Sequence, residues 1–432
     1  MRRYQQVSSY EARPGEAKRV VLLYSGGLDT SCILKWIQEE HNAEVITLTL
    51  NLGQQVDDLE AIRRKALTLG ATKAYVLDCR DEFADRFLSR AIKANAAYQG
   101  DYYISTISRY LMAEKAIAIA EYEQANAVAH GCTGKGNDQI RLEATALALK
   151  PEIKIIAPVR EWGMGRDEEL AYAKRHGIEV IQNDDFPYSS DDNMWGVTWE
   201  SGEIEDPEQI PRIDRFLTVK SIHQTPTEAE YLTIGFTRGV PSELNGEEMK
   251  LATLIERLNA IGSRHGVGVC YLMEDRIVGL KVRGVYEHPG AHILISAHRK
   301  LELYVSTRLE NEFKAQVDQK WSYLCYGGLL LDPLIENLDA FCDKMNEKVT
   351  GSVTVKLERG HAHVVSLSSP YALYSKNLAT FLKDDSFNQN CSPGFIELYS
   401  LQMKLAHDIK RMNDLTSSRP REFSLEQVVA NS

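Results

Sequence analysis

Val20-Val21-Leu22-Leu23-Tyr24-Ser25-Gly26-Gly27-Leu28-Asp29-Thr30-Ser31 is an apolar run that breaks into two glycines and then gives way to an amphipathic stretch over 32–40. The apolar residues predict a buried strand over 20–24 and the periodic residues a helix over 30–40, so the break between them is a tight turn. Paired glycines permit close backbone approach, Ser25, Thr30 and Ser31 supply hydroxyl donors, and the first N–H groups of the new helix have no partner within it. A turn of this kind is a cradle for a phosphate group.

A P-loop needs a Lys after its second Gly to hold the β and γ phosphates. No Lys follows here, and Asp29 stands in the loop instead. The run therefore resembles the S-G-G-x-D-[ST]-S loop of the N-type ATP pyrophosphatases, which cut ATP between its α and β phosphates. That resemblance implies that Leu23, Tyr24, Ser25, Gly26, Gly27, Leu28, Asp29, Thr30 and Ser31 hold ATP.

Outward from the turn, the pattern predicts strands over 44–50, 73–78, 126–130 and 153–157, alternating with helices over 57–70, 81–97, 104–122 and 137–148. Such alternation implies a parallel sheet covered on both faces, with the ligand at the carboxyl ends of its strands. Residues 1–18 are polar, with Pro14-Gly15 before the first strand, and read as a flexible extension. After 177–181 the texture changes, through a polar stretch over 183–192, to β-rich runs at 231–236, 268–282 and 353–357 and long helices at 247–261 and 298–324. The expected fold class is α/β: a parallel-sheet nucleotide-binding domain over 19–184, an α+β domain over 185–381 and a C-terminal helical arm over 382–432. The arm's helical run, 394–412, has little core of its own, as expected of a segment that packs on a neighbouring subunit.

At 432 residues the chain can bury a large core over two or three domains, and 44% hydrophobic with 26% charged residues excludes disorder as the default. A net charge of −11 argues against a nucleic-acid surface, which needs clustered Lys and Arg. No apolar run reaches the length of a membrane span, and 1–6 lack the apolar core of a signal peptide, so no membrane partner and a cytoplasmic location are expected. The seven cysteines are scattered without a C-x-x-C pair, which points to neither a disulfide framework nor a zinc site. His361 and His363, two apart in an alternating pattern, read as exposed strand-face residues rather than metal ligands, and no resident metal is expected.

A second glycine-rich run, His130-Gly131-Cys132-Thr133-Gly134-Lys135-Gly136-Asn137-Asp138-Gln139-Ile140-Arg141, also joins a strand to a helix. Gly131, Gly134 and Gly136 would let backbone close on a ligand, with a hydroxyl, an amide and a carboxylate at Thr133, Asn137 and Asp138. Arg141 lies one turn after Asn137 on the same face. This set can hold an amino acid, with donors and a guanidinium for carboxylates and an anion for an ammonium.

With both loops present, the chain resembles the argininosuccinate synthase family over about 19–405. Ile156-Ala157-Pro158, Arg160-Glu161-Trp162, Arg264-His265-Gly266-Val267-Gly268, Arg283-Gly284-Val285-Tyr286-Glu287 and Ser369-Pro370-Tyr371-Ala372-Leu373-Tyr374 match it in order. The resemblance implies ligation of citrulline and aspartate with ATP, entering as its Mg²⁺ complex, through a citrulline adenylate, and assembly as a homotetramer. It places Leu50 beside the adenine and Gly131 also on the nucleotide. Thr133, Asn137 and Asp138 would bind aspartate. Tyr102, Thr106, Asn137, Arg141, Ser189, Thr198, Glu274 and Tyr286 would bind citrulline. It names no group that takes the proton from the aspartate amine.

Departures from the family pattern cluster on the acceptor side. The family run Y-L-L-G-T-S-L-A-R-P reads Tyr102-Tyr103-Ile104-Ser105-Thr106-Ile107-Ser108-Arg109-Tyr110, one residue shorter, with Ser105 aligned to the Gly. A family Ser is Thr198, the Ser of K-S-R is Val282, and E-T-P-x-G-T reads Glu287-His288-Pro289-Gly290-Ala291-His292. These changes leave open a paralogue that adenylates a different ureido, amide or carbonyl acceptor and adds aspartate nitrogen to it. A tRNA-modifying pyrophosphatase would want a basic face and reactive cysteines, and a noncatalytic ligand sensor would not need the intact 25–31 loop.

Overall fold

The computed structural model describes residues 6–56, 58–179, 188–215, 217–380 and 386–416. Strands β1 (Arg19–Leu23), β2 (Glu44–Asn51), β3 (Lys73–Asp78), β4 (Ala127–Ala129) and β5 (Lys154–Ile156) form a parallel sheet in the order β3-β2-β1-β4-β5. A sheet covered on both faces needs apolar residues without alternation. Val20 and Leu22 accordingly pack with Ile33 and Ile37 of the helix Leu28–Glu40, while Val21 and Leu23 face the other cluster, with Leu111 and Ala116 of the helix Ser108–Tyr122. The strand order reverses between β1 and β4, which opens a crevice at their carboxyl ends. The two glycine-rich turns follow these two strands.

The chain continues as β6 (Ser189–Asn193), β7 (Gly196–Glu200), β8 (Glu230–Thr237), β9 (Val240–Leu244), β10 (Glu247–Glu248), β11 (Val269–Asp275), β12 (Lys281–Glu287), β13 (Gly351–Glu358) and β14 (His361–Ser368). These make two antiparallel sheets, β11-β12-β7-β6 and β10-β9-β8-β13-β14. One apolar cluster runs from Leu23 and Tyr110 through Leu258 and Tyr326 to Val355. The parallel-sheet and α+β parts therefore belong to one compact unit, Met1–Leu373, and a second unit comprises Tyr374–Ser432. The boundaries placed at 184 and 382 fall outside the described residues, and the second unit starts ahead of 382. No helix of the described residues is long and apolar enough to cross a membrane.

Several elements differ from expectation. Residues 6–18 are not a loose extension: Glu11 pairs in parallel with Ile155, the Ala12 N–H donates to the Ile155 carbonyl at 3.0 Å, and Ala12 and Ala17 are buried. The helix expected over 298–324 is two, Pro289–Val305 and Arg308–Tyr326. Ser306 is extended and Thr307 opens the second helix with a capping box, exchanging hydrogen bonds with Glu310. The helix over 81–97 ends at Lys93 and contains a π-helical turn, Ala84–Leu88. The stretch 247–261 begins as β10 before the helix Leu251–Arg264, and 268–282 folds back as the β11–β12 hairpin. In place of one run over 394–412 the second unit holds helices Ser392–Tyr399 and Leu401–Thr416. His361 lies exposed on β14, its ring stacked on that of His363 at 5.5 Å.

Candidate functional site

The turn after β1 needs one of its glycines for conformation. Gly26 has φ +81°, where a Cβ would also meet Ile62 Cγ2 at 3.0 Å, whereas Gly27 is extended with φ −69° and ψ 178°. Gly27 gives the helix Leu28–Glu40 no side-chain cap, so the N-terminal turn is left open to a ligand. Leu23, Tyr24, Ser25, Gly27, Leu28, Asp29, Thr30, Leu50 and Gly131 line a cleft of about 1130 Å³. Gly26 and Ser31 do not. Ser31 is buried, its hydroxyl donating to the Gly27 carbonyl at 2.7 Å and meeting the Tyr24 hydroxyl at 3.0 Å, so it braces the turn from behind. A cation does reach the loop, from elsewhere in the chain: Lys65 Nζ donates to the Gly26 carbonyl at 2.8 Å, and burial lowers its pKa.

A smaller cavity of about 290 Å³ adjoins the cleft and is lined by Tyr102, Thr106, Thr133, Asn137, Asp138, Arg141, Ser189, Thr198, Glu274 and Tyr286. The structure thus gathers every acceptor and aspartate residue expected from the sequence. Two elements build most of it. The helix Asp138–Leu149 has Asn137 at its N-cap and presents Asp138 and Arg141. The sheet β11-β12-β7-β6 sets Tyr286 opposite Thr198, and Thr198 opposite Asp191. Tyr286 lies back along β12 over Gly284, where a Cβ would sit 2.6 Å from the phenol oxygen, and so reaches Glu274 with its hydroxyl. None of Gly131, Gly134 and Gly136 has a positive φ; the tightest is Gly131, whose Cβ would lie 3.2 Å from Ile33 Cδ1.

The cavity wall carries both signs of charge. Asp138 accepts from Arg141 Nη1 at 2.6 Å and from Arg109 Nε at 3.0 Å, and Arg109 Nη2 also donates to Asp191 at 2.5 Å. Burial works against the Asp138 carboxylate, but the two guanidiniums outweigh it and hold its pKa below the usual range. Arg276 pairs with Glu200 at 2.7 Å on the opposite wall. Arg109, Asp191, Glu200 and Arg276 were not among the expected residues. Only Arg109 carried a sequence signal, through its place in the run 102–110. Six residues line both cavities: Arg109, Gly131, Cys132, Ser189, Ser190 and Asp191. A group bound in one is therefore next to a group bound in the other.

Two family models match the chain: the arginosuccinate synthase N-terminal HUP domain over residues 19–179 and the arginosuccinate synthase C-terminal domain over residues 188–406. The chain belongs to the argininosuccinate synthase family. It is 48% identical over 389 residues to the argininosuccinate synthase of Symbiobacterium thermophilum, covering 90% of this chain and 97% of that one. The argininosuccinate synthase of Pyrococcus furiosus is 49% identical, with 90% of this chain and 95% of that one covered. That of Brevibacillus brevis is 47% identical, with coverage of 90% and 92%.

Against the argininosuccinate synthase pattern, the acceptor-side departures fall mostly behind the wall. Only Thr198 lines the cavity. Ser105 is fully buried; its hydroxyl meets that of Tyr102 at 3.2 Å and that of Thr198 at 3.5 Å. His288 packs behind the rings of Tyr102 and Tyr286, and His292 Nδ1 meets the Tyr103 hydroxyl at 3.0 Å. The left-handed backbone that a glycine favours falls on Ile104, φ +52°, not on Ser105.

Proposed function

We propose that this chain is an argininosuccinate synthase that joins citrulline to aspartate, converting ATP to AMP and pyrophosphate. The observation that carries the reading is the small cavity of mixed charge that shares Arg109, Gly131, Cys132, Ser189, Ser190 and Asp191 with the cleft at the β1–β4 switch point. A ureido oxygen is a poor leaving group. Its attack on the α phosphorus of ATP expels pyrophosphate and forms an adenylate. The α-amine of aspartate then attacks the ureido carbon and AMP departs with that oxygen. Two steps on neighbouring groups need two adjoining sites, and catalysis here rests on activation and positioning.

In this reading Leu23, Tyr24, Ser25, Gly27, Leu28, Asp29 and Thr30, with Leu50 and Gly131, hold ATP, which brings Mg²⁺ as part of the substrate, while Gly26 and Ser31 shape the turn. Thr133, Asn137 and Asp138 receive aspartate. Tyr102, Thr106, Asn137, Arg141, Ser189, Thr198, Glu274 and Tyr286 receive citrulline, with Glu274 toward its ammonium. Assembly as a homotetramer and a cytoplasmic location belong to the same proposal. The test is pyrophosphate release by purified protein with ATP, Mg²⁺ and aspartate, with and without citrulline. Release that depends on citrulline, with argininosuccinate identified by mass, is expected. No citrulline dependence would overturn the acceptor assignment.

A further inference from the structure

The floor of the charged cavity is joined through one residue outside the expected set. Tyr326 ends the helix Arg308–Tyr326, is fully buried, and lies 189 positions from Asn137. Asn137 Nδ2 donates to its hydroxyl at 2.7 Å, and that hydroxyl donates to Glu274 Oε1. The other Glu274 oxygen accepts from Tyr286. Asn137 Oδ1 accepts from the Ile277 backbone N–H at 3.0 Å. A backbone N–H can only donate, so the oxygen of the Asn137 amide must face Ile277 and its nitrogen must face the phenol. A phenol has one proton, which points to the carboxylate, and its oxygen is left to accept from Asn137. The polarity of the chain is thereby determined.

The rest of Tyr326 is held independently of that hydroxyl. Its ring stacks on Tyr98 at 3.5 Å and lies 4.9 Å beneath the Arg141 guanidinium, and its carbonyl accepts from Arg141 Nε at 2.9 Å. We propose that Tyr326 is a positioning residue: its hydroxyl, shared between Asn137 and Glu274, sets both groups in the geometry that receives aspartate and the acceptor. The inference rests on the function proposed above. Without the hydroxyl, the Asn137 amide is anchored at one end only and Glu274 loses one of two donors. Both must then be ordered by the substrates, at the expense of binding. Neither Asn137 nor Glu274 lines the cleft proposed for ATP, so ATP affinity should not depend on the hydroxyl.

The test compares Tyr326→Phe with Tyr110→Phe in the pyrophosphate assay. Tyr110 is a second buried phenol at the same helix end; its hydroxyl donates to the Cys325 carbonyl at 2.5 Å rather than to a proposed substrate residue. In Tyr326→Phe the KM values for citrulline and aspartate should each rise about tenfold, the loss of one charge-assisted hydrogen bond, with that for ATP within about twofold. Tyr110→Phe should leave all three within about twofold. Unchanged KM values in Tyr326→Phe, or a rise in all three in both variants, would overturn the proposal. Should Tyr326→Phe not fold, Ile277→Pro carries the test. Ile277 is the second residue of the turn closed by the Gly279 N–H to the Arg276 carbonyl at 2.9 Å, a position that accepts Pro, and the substitution removes the other anchor of Asn137. The same two KM values should rise, and no change would again overturn it. Wild-type protein without citrulline-dependent release would instead overturn the underlying function, a failure seen before any variant is made.

Discussion

At the scale of single residues, His288 shows how a departure from the family pattern can leave the pocket surface alone and still matter. Its Nδ1 donates to the Trp195 carbonyl at 3.0 Å, its Nε2 is buried with no partner, and burial pushes its pKa down to about 4. An unfolded histidine takes up a proton near pH 6.5, so between there and about pH 4 the unfolded state binds more protons than the folded one. The stabilisation is complete above about pH 6.5 and is lost as pH falls toward 4, roughly 2 kcal/mol of it between pH 7 and 5. His288→Thr, the family residue, should therefore flatten the acid limb. The measurement is the urea midpoint at pH 7 and pH 5 in both proteins; equal falls would show that His288 does not titrate as described. Residue-level legibility followed chain distance. Asn137, Asp138 and Arg141 were readable because one helical turn makes them neighbours. Tyr326 was not, because nothing local marks a helix-end tyrosine as a partner of Asn137.

Among the elements, β12 does two jobs with adjoining residues. Tyr286 reaches the cavity, and Arg283 holds the segment that follows β7. Its guanidinium donates to the carbonyls of Glu203 at 2.6 Å, Asp206 at 2.7 Å, Ile204 at 2.8 Å and Gln209 at 3.0 Å. Ser201, at the start of that segment, lines the nucleotide cleft. Arg283→Met removes the guanidinium from these carbonyls, leaving Asp206 with the Gln209 N–H at 3.1 Å, and should cost roughly 1–3 kcal/mol, with protease cleavage moving into 202–210. Mapping of early fragments by mass checks this, and an unchanged cleavage pattern would mean that other contacts hold the segment. The match to Arg283-Gly284-Val285-Tyr286-Glu287 was visible in the sequence, but its purpose was not, since four carbonyls are no motif. The split of the long helix at Thr307 was readable in principle, from the Thr-x-x-Glu spacing of a capping box.

For the molecule as a whole, the C-terminal unit bears on assembly. In the second unit the helices Ser392–Tyr399 and Leu401–Thr416 carry Phe395, Leu398, Tyr399, Met403 and Ile409, all exposed. Helices this apolar with no core of their own are stable when another surface covers them. The proposed homotetramer supplies that surface. Light scattering of the full chain should give the mass of four copies, and a chain ending at 387 should give a smaller assembly. A full chain that runs as a monomer, or a truncated one that stays tetrameric, would remove the arm from the account.

Local physics made much of this protein legible. A glycine turn between an apolar run and an amphipathic one, strands alternating with helices, and donors one helical turn apart are all encoded within a dozen residues. They sufficed for the parallel sheet, the phosphate cradle and the helix that presents Asn137 to Arg141. Tertiary packing decided the rest. It set Arg109 between Asp138 and Asp191, put Lys65 against the loop that lacks its own lysine, brought Tyr286 onto Glu274, and laid Tyr326 beneath Arg141. Each of these pairings joins residues whose separation along the chain obeys no period, so it arises only when the sheets and helices that carry them close on one core.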